Sequence, residues 1–239
     1  MADTDKERLS GSNLGVHEVL SHYGFYSSAS DRFRQMMRDI ADYIEVERGQ
    51  PLMRSGEACD VVLFVGDGRV RVFVEGESGR IANLYHVHSG ECCPINIGAS
   101  LMGVQACASA VADSTVKAAA IPATRFDMLR AESSELRDWI FDATACRYGE
   151  VVSLLRNVIT LTVDQRLAEY LLRRSADDEH HRPTLNITHA NLAMDIGTAR
   201  EVINRRLKAL QSTDIVALGR GTITVTDPAA LESIRDGGD

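Results

Sequence analysis

Residues 187–210, ITHANLAMDIGTAREVINRRLKAL, constrain this chain more tightly than any other stretch. Apolar Leu192, Ala193, Ile196, Val202, Ile203, Leu207 and Leu210 recur at three- and four-residue spacing. The segment therefore predicts two short helices, each with one face to bury. Gly197 stands between them, where the chain must reverse sharply and a residue without Cβ does so cheaply. The second helix keeps Arg200, Glu201, Asn204, Arg205 and Lys208 for its outer face. Guanidinium groups with one carboxylate and one amide are the set that reads base edges and grips phosphates from a major groove. Farther on, Ile215–Leu218, the turn Gly219-Arg220-Gly221 and Thr222–Val225 read as a β-hairpin. Two such helices and a hairpin make a winged helix, with Arg220 at the hairpin tip offered to the DNA backbone.

The formal charge of -8 argues against a general nucleic-acid coat protein. It leaves room for a sequence-specific reader, because Arg200, Arg205, Arg206, Lys208 and Arg220 cluster while the acids lie elsewhere. At 239 residues, 44% hydrophobic and 25% charged, the chain has the makeup of a soluble globular protein with one large or two modest domains. No apolar run approaches the ~18 residues that span a bilayer, and the polar start MADTDKERLSGSN lacks a signal-peptide core. The expected location is the cytoplasm, with no membrane partner. Five irregularly spaced cysteines do not make a secreted disulfide framework; core, ligand or sensor roles remain.

Along the chain, residues 1–17 read as a flexible arm and Asp31–Ile40 as a short helix. Short strands separated by turns fill residues 41–121: Val61–Val65, the turn Gly66-Asp67-Gly68, alternating Val70, Val72 and Val74, a hairpin turn at Glu75–Gly79, then Ile81–Val87. This spacing means a sandwich or barrel-like roll. Helical periodicity then returns. Ile140, Arg147, Leu154 and Leu161 are seven apart, and so are Thr144, Val151 and Val158, offset as the two apolar positions of a heptad. A long helix with such a stripe between two domains reads as a dimer interface; the blander reading packs it on its own β-domain. Asp164–Arg174 is a further amphipathic helix. Residues 177–183 form a polar loop in which His180 and His181 stand beside three acids, a loose divalent-ion site or simply a solvated turn. The expected class is α+β: an antiparallel, cupin-like β-roll (18–132), a dimerisation helix (133–163) and a C-terminal winged helix-turn-helix (164–239).

A β-roll, a heptad helix and a winged helix, in that order, resemble the Crp/Fnr superfamily of bacterial transcription regulators. The residues that carry the resemblance are Arg54-Ser55-Gly56-Glu57, the Gly68 turn, Ser89-Gly90-Glu91, Gln165-Arg166-Leu167-Ala168 and, most specifically, Ala199-Arg200-Glu201-Val202-Ile203-Asn204-Arg205. It implies a homodimer on a pseudo-palindromic site of double-stranded DNA, half-sites about one helical turn apart, with RNA polymerase as a further partner. It also implies that Arg200, Glu201 and Arg205 read bases and grip phosphates, with Thr188, Thr198, Asn204, Lys208 and Arg220 completing the DNA-facing set. From the residues alone, Arg205 can bond guanine O6 and N7 bidentately and Glu201 can accept from cytosine N4. Thr198-x-x-Glu201 also fits a capping box, which would turn that carboxylate back on its own helix.

Relatives that bind cyclic nucleotides use a Gly-Glu pair and a downstream Arg in the roll. Here Pro94, Ile95 and Asn96 fall where the glutamate should be, and no Arg or Lys occurs between Glu91 and Ser114. A cyclic phosphate buried without a cation would be prohibitively costly. Residues 1–58 contain no cysteine, against an N-terminal iron–sulfur cluster. The region holds instead His86, His88, Cys92 and Cys93, with Cys107 downstream. Four readings stand for this set: a thiol switch, a metal or haem site, a lining for an apolar ligand with Ile95, Ile97, Leu101 and Met102, or plain core cysteines. A Cys92 or Cys93 bridge to Cys107 is geometrically easier than one between neighbours. A metal-dependent enzyme built on the same residues is the rival class, but it leaves the C-terminal third without a purpose.

Overall fold

The computed structural model describes residues 14–76, 81–176 and 183–237. It divides into two compact units, one formed by the chain up to Val74 and Leu84–Glu150, the other by Glu75–Asn83 and the chain from Val151. Residues 1–13, 77–80 and 177–182 lie outside the described residues, and with them most of the expected turn at Glu75–Gly79 and of the expected polar loop 177–183 with His180 and His181.

In the first unit, helices α1 (14–21), α2 (Gly24–Ser28) and α3 (Asp31–Ile40) lead into the strands. Residues 14–17, expected to belong to a flexible arm, are instead part of α1, which buries Val16, Val19 and Leu20 completely or nearly so. Ser30 caps α3 by accepting from Phe33 N–H at 3.3 Å. Two antiparallel sheets follow. One has the order β1-β7-β3 and the other β2-β6-β4-β5, from β1 (Asp42–Val46), β2 (Pro51–Met53), β3 (Val61–Asp67), β4 (Val70–Glu75), β5 (Ile81–Val87), β6 (Ser109–Ala112) and β7 (Val116–Pro122). Side chains from both sheets line one interior, because alternate residues of each strand point inward.

Helix α4 (Pro94–Met102) interrupts the strands where only strands are expected from the pattern. Its punctuation was present in the sequence: Cys93 caps it, Pro94 opens it and Gly103 ends it in the left-handed conformation at φ 63°. Cys92 and Cys93 thus lie in the approach to a helix rather than on a strand. After α5 (Ala123–Glu132) comes the long helix α6 (Ser134–Thr160). Its Trp139 joins Tyr23, Phe25 and Phe64 in an aromatic cluster with ring centroids 5.0–6.0 Å apart. The completely buried Tyr23 donates its hydroxyl to the Val65 and Glu91 carbonyls, which satisfies its polar end.

In the second unit, α7 (Val163–Ala176), β8 (Thr184–Asn186), α8 (His189–Ile196), α9 (Arg200–Ser212), β9 (Val216–Gly219), β10 (Thr222–Val225) and α10 (Pro228–Arg235) surround one core. Leu167, Leu171, Leu192, Ile203, Leu207 and Ile223 fill it. Thr162 and Gln165 cap α7 reciprocally, side chain to backbone in both directions. The hairpin pairs β9 with β10, and β8 adds a third strand on the other side of β10. Among the described residues, no helix is long and apolar enough to cross a membrane.

Candidate nucleic-acid interface

Helix α8 begins at Thr188, whose hydroxyl accepts from Asn191 N–H at 3.2 Å, and ends at Gly197 with φ 70°. That left-handed residue turns the chain by a route closed to most side chains, and α9 starts three residues later. The burial of α9 alternates as its spacing requires: Ile203 and Leu207 are buried, while Arg200, Glu201, Asn204, Arg205 and Lys208 are exposed. None of these five exposed side chains has a hydrogen-bond or ion-pair partner among the described residues. Arg206, pointing sideways, pairs instead with Asp164 at 3.2 Å and ties α9 to the start of α7.

The N-cap of α9 is Ala199, which has no side chain able to cap it. The capping box between Thr198 and Glu201 is therefore not formed, and the Glu201 carboxylate is left facing outward. Thr198 is half-buried in the turn, its N–H bonded to Ala193 O at 2.9 Å. The start of α8, Arg200 and the hairpin residues Gly219, Gly221 and Thr222 line one open cleft of about 410 Å³. Thr188 and His189 lie in the same cleft, and Arg220 stands exposed on the adjoining turn. Free N–H groups at a helix start, a hydroxyl and a guanidinium form a setting suited to a phosphate.

The roll interior has different chemistry. Its cavity, about 30 Å³, is lined by apolar side chains such as Leu63, Val70, Val87 and Val116, with Cys93 and Asn96 the only polar members. The Asn96 side chain is committed, donating to Val61 O at 2.8 Å and accepting from Leu63 N–H at 3.2 Å. Of the residues named from sequence for an apolar lining, Ile97 and Leu101 pack into the core and Met102 is exposed. The strands supply the lining instead.

All five cysteines are free, and Cys107 is exposed in the bend before β6, so a bridge from it to Cys92 or Cys93 is not formed. Burial, with the Cys93 thiol beside it, pushes the Cys92 thiol up to about 12. Burial also pushes Cys93 up. A thiol held neutral is a poor nucleophile, which weighs against a switch at this pair and favours core roles. His86 lies 3.7 Å from Asp113, and its ring centroid is 6.3 Å from that of His88. Among the described residues no group of three or more His, Cys, Asp or Glu side chains could hold a metal ion.

Residues 165–234 match the family described as Crp-like helix-turn-helix domain, and residues 43–133 match the Cyclic nucleotide-binding domain family. The chain belongs to the Crp/Fnr superfamily. Among solved structures, a Crp/Fnr-family transcriptional regulator from Eubacterium rectale superposes with a TM-score of 0.77 at 23% identity, covering 91% of this chain and 100% of that one. The c-di-GMP responsive global regulator CLP of Xanthomonas campestris gives 0.73 at 16% identity, covering 82% and 99%. The cyclic AMP receptor protein of Thermus thermophilus is 44% identical over 55 residues, a match spanning 23% of this chain and 26% of that protein.

In this Crp/Fnr chain the long helix carries two neighbouring stripes, and the heptad reading selected the inner one. Ile140 packs against the core of its own β-unit. Arg147 ion-pairs with Glu91 and sits 5.1 Å over the Tyr85 ring. Thr144 is exposed, Val151 and Leu154 are half-buried, and Leu161 lies beyond the helix end. The Val158 side chain is outside the described set. One residue farther round, Phe141, Tyr148, Val152, Leu155 and Ile159 are 73%, 72%, 44%, 57% and 72% exposed. Their spacings of seven, four, three and four are themselves a heptad seam. The inner stripe meets the β-unit at Ile140 and Arg147, whereas the outer stripe lies open from Phe141 to Ile159. Periodicity alone cannot assign which is which.

Proposed function

We propose that the protein is a homodimeric, sequence-specific DNA-binding transcription regulator. The carrying observation is the unpartnered row Arg200, Glu201, Asn204, Arg205 and Lys208 on a helix whose opposite face is buried. A row of free charges costs nothing to leave in water and has its hydrogen-bonding capacity ready for a groove. Arg205 takes a guanine bidentately, Glu201 accepts from the cytosine N4 of a neighbouring pair, and Asn204 tunes one further base. Arg200, Thr188 and the hairpin tip with Arg220 hold the backbone across the cleft and set the register.

Two copies pair along the Phe141–Ile159 stripe, where β-branched Val152 and Ile159 alternate with Leu155 in the manner of a two-stranded coil. The two reading helices then meet half-sites about one helical turn apart, and the regulator acts in the cytoplasm on promoter-bound RNA polymerase. The roll interior takes no cyclic nucleotide, since nothing in its lining can neutralise a phosphate. Selection of binding sites from random duplex DNA, followed by fluorescence anisotropy at several salt concentrations, tests the reading. A pseudo-palindrome bound by a dimer is expected. Equal affinity for all sequences, or binding by a monomer, refutes it.

A further inference from the structure

We propose that Arg147 is a positioning residue for DNA binding, coupling the roll interior to the dimer seam although it faces neither DNA nor partner. The inference rests on the reading of α6 as the helix that pairs two copies. Arg147 occupies the middle of α6, and its side chain is only 13% exposed. It bonds Glu91 and, at 2.7 Å, Glu150, and its guanidinium carbon lies over the Tyr85 ring, 5.1 Å from the centroid. Glu91 is itself fixed, with one carboxylate oxygen accepting from His88 N–H at 2.9 Å and its carbonyl accepting from Tyr23. A largely buried guanidinium held from three sides has no equivalent position one step round the helix. It therefore sets the rotation of α6 against the roll. The residue that follows it, Tyr148, is a seam residue, so rotation of α6 and presentation of the seam are the same variable.

The clasp also reaches inward. The Tyr85 hydroxyl meets Cys93 Sγ at 3.5 Å, and Cys93 lines the small apolar cavity. A change of volume in that cavity moves Tyr85, and Tyr85 is the platform on which Arg147 rests. The interior and the seam are thus joined through three side chains, Cys93, Tyr85 and Arg147, and the α6 backbone that carries Tyr148, without any ligand charge being needed.

The test uses the full chain and four single variants, Arg147→Met, Arg147→Lys, Glu91→Gln and Cys93→Met, the last adding bulk at the cavity wall, with Glu91→Gln and Cys93→Met each also combined with Arg147→Met. Dimer dissociation is read by sedimentation, DNA affinity by anisotropy and folding by circular dichroism. Arg147→Met is expected to weaken DNA binding at least tenfold while secondary structure is retained. Glu91→Gln should act in the same direction, and the two together should be no worse than Arg147→Met alone. Cys93→Met should change DNA affinity in the parent and leave it unchanged in Arg147→Met. Arg147→Lys, which keeps the charge but not the forked bonding to Glu91 and Glu150, should fall between. Unchanged DNA affinity in Arg147→Met overturns the proposal. So does a Cys93→Met effect that is absent in the parent or persists without Arg147. A parent protein that neither dimerises nor binds DNA fails the functional reading instead, a result visible before any variant is made.

Discussion

Replacing Leu155 with Ala should weaken the dimer by one to two orders of magnitude. Leu155 is 57% exposed in the single chain, so a little over half of its side-chain burial remains to be gained on pairing. Complete burial of a leucine is worth roughly 1.5–3 kcal/mol, which leaves about 1–1.7 kcal/mol per copy. Two copies lose that amount together, so the dimer loses about 2–3 kcal/mol, or roughly 30- to 150-fold in its dissociation constant. Leu154→Ala is the informative contrast. Leu154 is half-buried, one step round the helix on the stripe that the heptad spacing favours. Sedimentation equilibrium on the two variants and the parent gives the answer directly. A large loss in Leu154→Ala, with Leu155→Ala within twofold of the parent, would refute the outer seam and restore the inner one.

Other consequences are equally direct. Arg205→Ala should cost about 1–3 kcal/mol and relax preference at one base pair of each half-site, read by anisotropy on a panel of single-base changes; an equal loss on every sequence would make Arg205 a phosphate contact. Gly197→Ala places a Cβ at φ 70° and should lower stability by about 1–2 kcal/mol in urea unfolding, with the α9 surface unchanged. Ellman's reagent should titrate Cys107 and Cys146 quickly in the native protein and reach Cys92 only on unfolding. Burial raises the Cys92 thiol from 9.0 to about 12, so the unfolded chain ionises there while the fold does not. Stability is therefore retained below pH 9 and lost between pH 9 and 12, by up to about 4 kcal/mol. Denaturation at pH 8 and 11 should show a smaller loss in Cys92→Ala than in the parent, and equal losses would contradict the assignment.

Residue spacing alone placed α3 and the roll strands β3, β4 and β5, and it placed the helix pair with its hairpin. It did so because each is amphipathic at its own period and is bounded by glycine, proline or a capping hydroxyl. The outward row from Arg200 to Lys208 was equally legible, since the apolar positions of a two-sided helix dictate what is left over. Local pattern could not rank competing partners. Thr198 and Glu201 satisfied a capping rule that the backbone declined by starting the helix at Arg200. Short strands fill the expected roll up to residue 121, yet Cys93 caps a helix that Pro94 opens. On α6, two apolar stripes lie a single residue apart, and only the packing of Ile140 and Arg147 onto the β-unit shows which stripe remains free. Periodicity measures how much of a helix avoids water; the rest of the fold decides what each face avoids it with.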